Sequence, residues 1–81
     1  MMSLTEERKI KIAQYIKSYI RKNQLKNGDP LPSENVLAEQ FEANRNTVRS
    51  VYAMLKAQGI IYAKKGCGYF VAEKPKSLMY N

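Results

Sequence analysis

Arg45 and Arg49 stand four residues apart in the stretch Asn44-Arg45-Asn46-Thr47-Val48-Arg49. On a helix that spacing puts both guanidinium forks on one face. Val48, Val51, Tyr52 and Leu55 follow at i, i+3, i+4 and i+7 and make an apolar stripe on another face. Asn44 suits the capping position, which places Arg45, Asn46 and Arg49 in the first turns. A planar fork can satisfy both major-groove acceptors of guanine, and an amide can pair with adenine. A buried stripe behind and two forked cations in front, near the helix start, is the layout of a helix that enters a DNA major groove. Arg45 is the first candidate for a base contact. Arg49 can read a base, hold a phosphate or pair with a nearby acid. Asn46 can read adenine or stand idle in solvent, and the Thr47 hydroxyl can donate to a phosphate.

A second set of candidates lies outside this stretch. Ser33 suits a helix cap, and a helix start also accepts phosphate. Lys64 and Lys65 precede Gly66-Cys67-Gly68. Two cations at a glycine-rich turn can neutralise backbone phosphate. The glycines supply positive φ and leave the tip slim enough for a minor groove. Cys67 lacks the histidine partner that would activate a thiol, since the chain has no histidine.

The same inventory speaks against catalysis. One cysteine and no histidine exclude a Cys/His zinc site and an internal disulfide. The single aspartate, Asp29, sits in a turn signal, and no phosphate-cradling loop is present. The expectation is a non-enzyme without a cofactor. Lysine and arginine total 14 against 7 acids, a formal charge of +7 on 81 residues. That balance favours a polyanionic partner, nucleic acid ahead of an anionic membrane surface. No apolar run is long enough for a membrane span, and the start lacks a signal-peptide core. A cytoplasmic protein is therefore expected.

The elements that must position these residues can be read in order. Residues 1–5 are expected to be a flexible tail, with Thr5 capping a first helix over about 6–22. Ile12, Ile16, Tyr19 and Ile20 give that helix its stripe, widened by Ala13 and Tyr15. Asn27-Gly28-Asp29-Pro30 is a turn signal, and Pro30 and Pro32 should keep the following segment extended and irregular. Ser33 then caps a short helix buried through Leu37, Ala38 and Phe41, with Glu34 at its dipole-favoured first position. Residues 42–44 make a tight turn into a third helix over about 45–58, which Gly59 ends. Ile60-Ile61-Tyr62-Ala63 and Tyr69-Phe70-Val71-Ala72 flank the glycine-rich tip as a β-hairpin. Residues 73–81 read as a tail or linker. The predicted fold is mainly α with a small β-hairpin: a winged helix-turn-helix over 6–72, three helices plus a two-stranded wing.

With the elements in place, the chain resembles the DNA-binding domain of the GntR family of bacterial transcription regulators. The resemblance covers about residues 10–72. It is carried by Ile12-Ala13 with Ile16 and Ile20, by Gly28-Asp29-Pro30-Leu31-Pro32-Ser33-Glu34 and by Leu37-Ala38-Glu39-Gln40-Phe41. It continues through Arg45-Asn46-Thr47-Val48-Arg49, Gln58-Gly59-Ile60-Ile61 and Gly66-Cys67-Gly68-Tyr69-Phe70-Val71. It implies operator binding by a homodimer on an inverted repeat, with the wing tip in the minor groove. The expected role is a repressor's. By position Arg45, Thr47, Arg49 and Gly66 inherit the DNA contacts. It also implies a separate effector and dimerisation domain, so no effector site is expected here and dimerisation should be weak. Five positions depart from the family pattern. Asn35 replaces a frequent basic residue, Glu42-Ala43 replaces Gly-Val in the turn, Asn44 replaces Ser or Thr but can still cap and meet a DNA phosphate, and Cys67 replaces Arg or Lys at the tip. The alternative is a winged helix that serves as a protein-interaction module with only non-specific affinity for DNA.

Overall fold

A computed structural model describes residues 4–72 of the chain. Three helices precede a hairpin: α1 (Leu4–Lys22), α2 (Glu34–Gln40), α3 (Arg45–Ala57), β1 (Ile61–Lys64) and β2 (Gly68–Val71). The expected fold class is the one observed. α1 starts earlier than expected, so Leu4 and Thr5 belong to the helix and not to the tail. The reason is chemical: Thr5, Glu6 and Glu7 suit a first turn as well as they suit a cap, so their order leaves the boundary open by a residue or two. Tail positions 1–3 and 73–81 lie outside the described residues.

Both short-range caps form as their residue types demand. The Ser33 hydroxyl accepts the Val36 N–H at 3.1 Å, and Asn44 Oδ1 accepts the Thr47 N–H at 2.9 Å. Each satisfies a donor that the first helical turn leaves unpaired. The other ends share one device. Gln24, Glu42 and Gly59 all adopt positive φ, at 52°, 52° and 80°. The residue after each donates back five positions: Leu25 to Ile20 at 2.9 Å, Ala43 to Ala38 at 2.9 Å, and Ile60 to Leu55 at 3.1 Å. Each pair is apolar at both ends, which makes three Schellman motifs in succession. Only the last has the glycine that this backbone prefers. The turn of the helix-turn-helix forms on Glu42 instead, an L-residue held in the left-handed region.

The core draws on the three helices and β1, with Tyr69 of β2 packed against it. Ile12, Ala13 and Ile16 of α1, Leu37 and Ala38 of α2, Val48, Val51, Tyr52 and Leu55 of α3, and Ile61 of β1 form one buried cluster. The predicted stripes of α1 and α3 are the faces that meet there. In α1, Tyr15 and Ile20 are half-buried at its margin.

The hairpin pairs antiparallel with Ile61 opposite Val71 and Lys64 opposite Gly68. β2 has a second neighbour. Gly28 N–H donates to the Val71 carbonyl at 2.7 Å, Val71 N–H to Asp29 at 2.9 Å, and Leu31 N–H to Tyr69 at 2.9 Å. The segment expected to be extended and irregular is extended but paired, with a bridge between Pro30 and Phe70. Leu31 donates between two prolines that cannot, as befits a sheet edge. The turn before α2 is thus bridged to the wing after α3.

Candidate nucleic-acid interface

α2 and α3 present their N-termini toward the hairpin tip. Ser33, Arg45, Lys64, Lys65, Gly66 and Gly68 line one open groove, together with Glu34, Asn35, Cys67 and Tyr69. Candidates separated by more than thirty positions in sequence therefore share a surface. Arg45 and Arg49 extend from α3 with side chains 60% and 54% exposed. Asn46 and Asn44 are exposed beside them. Lys64 and Lys65 are exposed at the hairpin tip. Gly66 and Gly68 have φ of 78° and 118°, and a Cβ built on either meets nothing within 4 Å. Backbone conformation, not lack of room, is what calls for glycine there.

Thr47 differs from the rest of the set. It is buried, and its hydroxyl donates to Asn44 Oδ1 at 3.1 Å. Asn44 thereby holds both the backbone N–H and the hydroxyl of Thr47, and the start of α3 is pinned. Ser33 combines exposure with its capping bond, so its Oγ is already accepting from Val36.

The residue that organises the surface is Glu34. Its carboxylate accepts from Arg49 Nε at 3.3 Å and from Arg49 Nη2 at 3.2 Å. It also accepts from the Tyr69 hydroxyl. Arg45 Nη2 lies 3.9 Å away, and the Glu34 side chain is only 15% exposed. One carboxylate thus ties together α2, α3 and the wing. The Arg49 fork and the Tyr69 hydroxyl hold Glu34 below the usual carboxylate range, and Arg49 is raised in turn by the pairing. Burial, with the Glu34 hydrogen bond second, pushes the Tyr69 phenol up to about 12. Tyr69 stacks on Tyr52 with ring centroids 3.9 Å apart and planes 6° from parallel. Tyr52 is fully buried and donates to the Pro32 carbonyl at 2.5 Å. The chain of contacts runs from the core through Tyr52 and Tyr69 to the charged surface.

Sequence reasoning assigned Glu34 only a helix-dipole role. Its true partners are 15 and 35 residues away. The available signal was thin: a lone acid beside an otherwise cationic set. Among the described residues no group of three or more His, Cys, Asp or Glu could hold a metal ion, and no helix is long and apolar enough to cross a membrane.

Residues 9–71 match the family model described as bacterial regulatory proteins, gntR family. The chain is 43% identical over 65 residues to the HTH-type transcriptional repressor NagR of Bacillus subtilis (strain 168), covering 80% of this chain and 26% of that protein. Its fold resembles the possible transcriptional regulator YydK of Bacillus subtilis, with a TM-score of 0.77 and 34% identity over 84% of this chain and 30% of that one. It also resembles AraR(DBD), solved in complex with operator ORX1, with a TM-score of 0.75 and 30% identity over 89% of this chain and 82% of that one. The chain spans between 18% and 54% of the length of the curated relatives it matches, and about a quarter of NagR.

Proposed function

Since this chain belongs to the gntR family of bacterial regulatory proteins, we propose that it is the part of a transcription regulator that reads operator DNA. The start of α3 enters the major groove and the tip at residues 64–68 follows the adjacent minor groove. Arg45 contacts a base edge, and Arg49 contacts a base or phosphate from beside it. Asn46 faces the same groove. Lys64 and Lys65, with the backbone of Gly66 and Gly68, follow the phosphates, while Asn44, Ser33 and Thr47 fix the two helix starts that carry the contacts. The observation that carries this reading is the shared groove, which brings Arg45 and the cationic tip onto one surface. That the similar AraR(DBD) was solved in complex with an operator supports it.

In this reading the regulator is a repressor, as NagR is named, and acts in the cytoplasm as a homodimer on an inverted repeat. It has no enzymatic role. Within residues 4–72 the dimer contact is weak and no effector site is assigned.

The test is selection of bound duplexes from a random DNA pool, with Arg45→Ala/Arg49→Ala alongside. The native chain is expected to enrich a motif that the double variant does not. Equal, steeply salt-dependent binding by both with no motif would mean a non-specific footprint, and the protein-interaction reading would replace this one.

A further inference from the structure

We propose that Glu34 is a positioning residue for sequence discrimination: it fixes the Arg49 fork at the DNA surface, and it does so by giving up general affinity. The inference rests on the operator-reading function above. A carboxylate at a surface meant for phosphates repels the ligand, so its presence there needs a return. Glu34 engages Nε and one N–H of Nη2, at 3.3 and 3.2 Å. Arginine offers five N–H donors in a rigid plane. Three remain: the second N–H of Nη2 and both of Nη1. Arg49 is half-exposed, so these donors are open to a ligand. A free arginine would swing toward whichever phosphate came nearest. A clamped one presents its donors at one place and in one plane, and a bidentate acceptor either meets them or does not.

The clamp is itself held. The Tyr69 hydroxyl donates to the same carboxylate, and Tyr69 stacks on the buried Tyr52. Glu34 is therefore fixed through the core, while the two arginines near it are more than half exposed. It also offsets one cation in a set that would otherwise bind any duplex.

The experiment uses the 81-residue chain, a duplex carrying the motif it selects and a random duplex of equal length. Glu34→Gln keeps the size but replaces half of the acceptor pair with a donor that opposes arginine. It is expected to bind the random duplex more tightly at low salt, with a salt dependence steeper by about one counterion. Preference for the selected motif is expected to fall roughly tenfold, the scale of one bidentate contact. The effect must run through Arg49: on an Arg49→Ala background, Glu34→Gln should change the preference little. Thermal unfolding of each variant without DNA separates this from loss of fold. If Glu34→Gln folds and keeps the native preference, the proposal is overturned while the operator reading stands. If preference falls equally with and without Arg49, the proposal is also overturned, because Glu34 then serves only the wing. A native chain that selects no motif overturns the operator reading and this proposal together.

Discussion

At the scale of single residues, charge state is the quantity most open to measurement. Glu34 titrates below its unfolded value because it is paired in the folded chain. Its contribution to stability is therefore complete above the ordinary carboxylate range and is lost as pH falls through the lowered value. Tyr69 is the opposite case. Its folded pKa of about 12 lies above the ordinary 10, so the folded chain holds a proton that the unfolded chain releases, and stability falls as pH rises from 10 through 12. Unfolding by urea across pH 2–12 is expected to show a loss at both ends, with Glu34→Gln flattening the acidic side and Tyr69→Phe reducing the basic loss, which Tyr69 shares with the buried Tyr52. An acidic limb identical in Glu34→Gln and native chains would show that other carboxylates set it. The arginines of this network were legible from type and spacing alone, because Arg45 and Arg49 lie within one helical turn of each other. Glu34 and Tyr69 were not, because a pairing across 15 or 35 residues depends on how the elements dock. Thr47 was half legible: its place in the first turn was clear, but not that Asn44 would claim its hydroxyl.

Helix ends are where elements decide their own stability here. The three Schellman motifs place Gln24, Glu42 and Gly59 in the left-handed region, which costs an ordinary L-residue about 1–2 kcal/mol. Glycine removes that cost but adds freedom to the unfolded chain. Glu42→Gly and Gln24→Gly are each expected to stabilise by about 0.5–1 kcal/mol, and Gly59→Ala to destabilise by about 1 kcal/mol. Chemical denaturation of the three variants checks this, and a destabilised Glu42→Gly would mean that the Glu42 side chain contributes more than its backbone costs. The caps at Ser33 and Asn44, the stripes of α1 and α3 and the hairpin were readable because each follows from residues within a turn or two. The pairing of residues 28–31 with β2 was not. Two prolines around Leu31 signal an irregular segment, and nothing local reveals that the one free N–H between them has a partner at Tyr69.

For the whole molecule, the core is shared by the three helices and β1, so the reading surface has no independent support: Tyr52 belongs to the core and stacks on Tyr69, which holds Glu34. The pairing of residues 28–31 with β2 closes everything between Leu31 and Tyr69 into a loop fastened at its base. Helix contacts within that loop join near neighbours and form fast, whereas its closure must bring together chain segments about forty residues apart. Order in time follows from this. The wing is expected to be the last part to settle during folding and the first to leave during unfolding. In a stopped-flow chevron, Val71→Ala is then expected to move mainly the unfolding arm, and Val51→Ala to move the folding arm as well. The reverse pattern would put the sheet in the folding nucleus and make the helices wait for it.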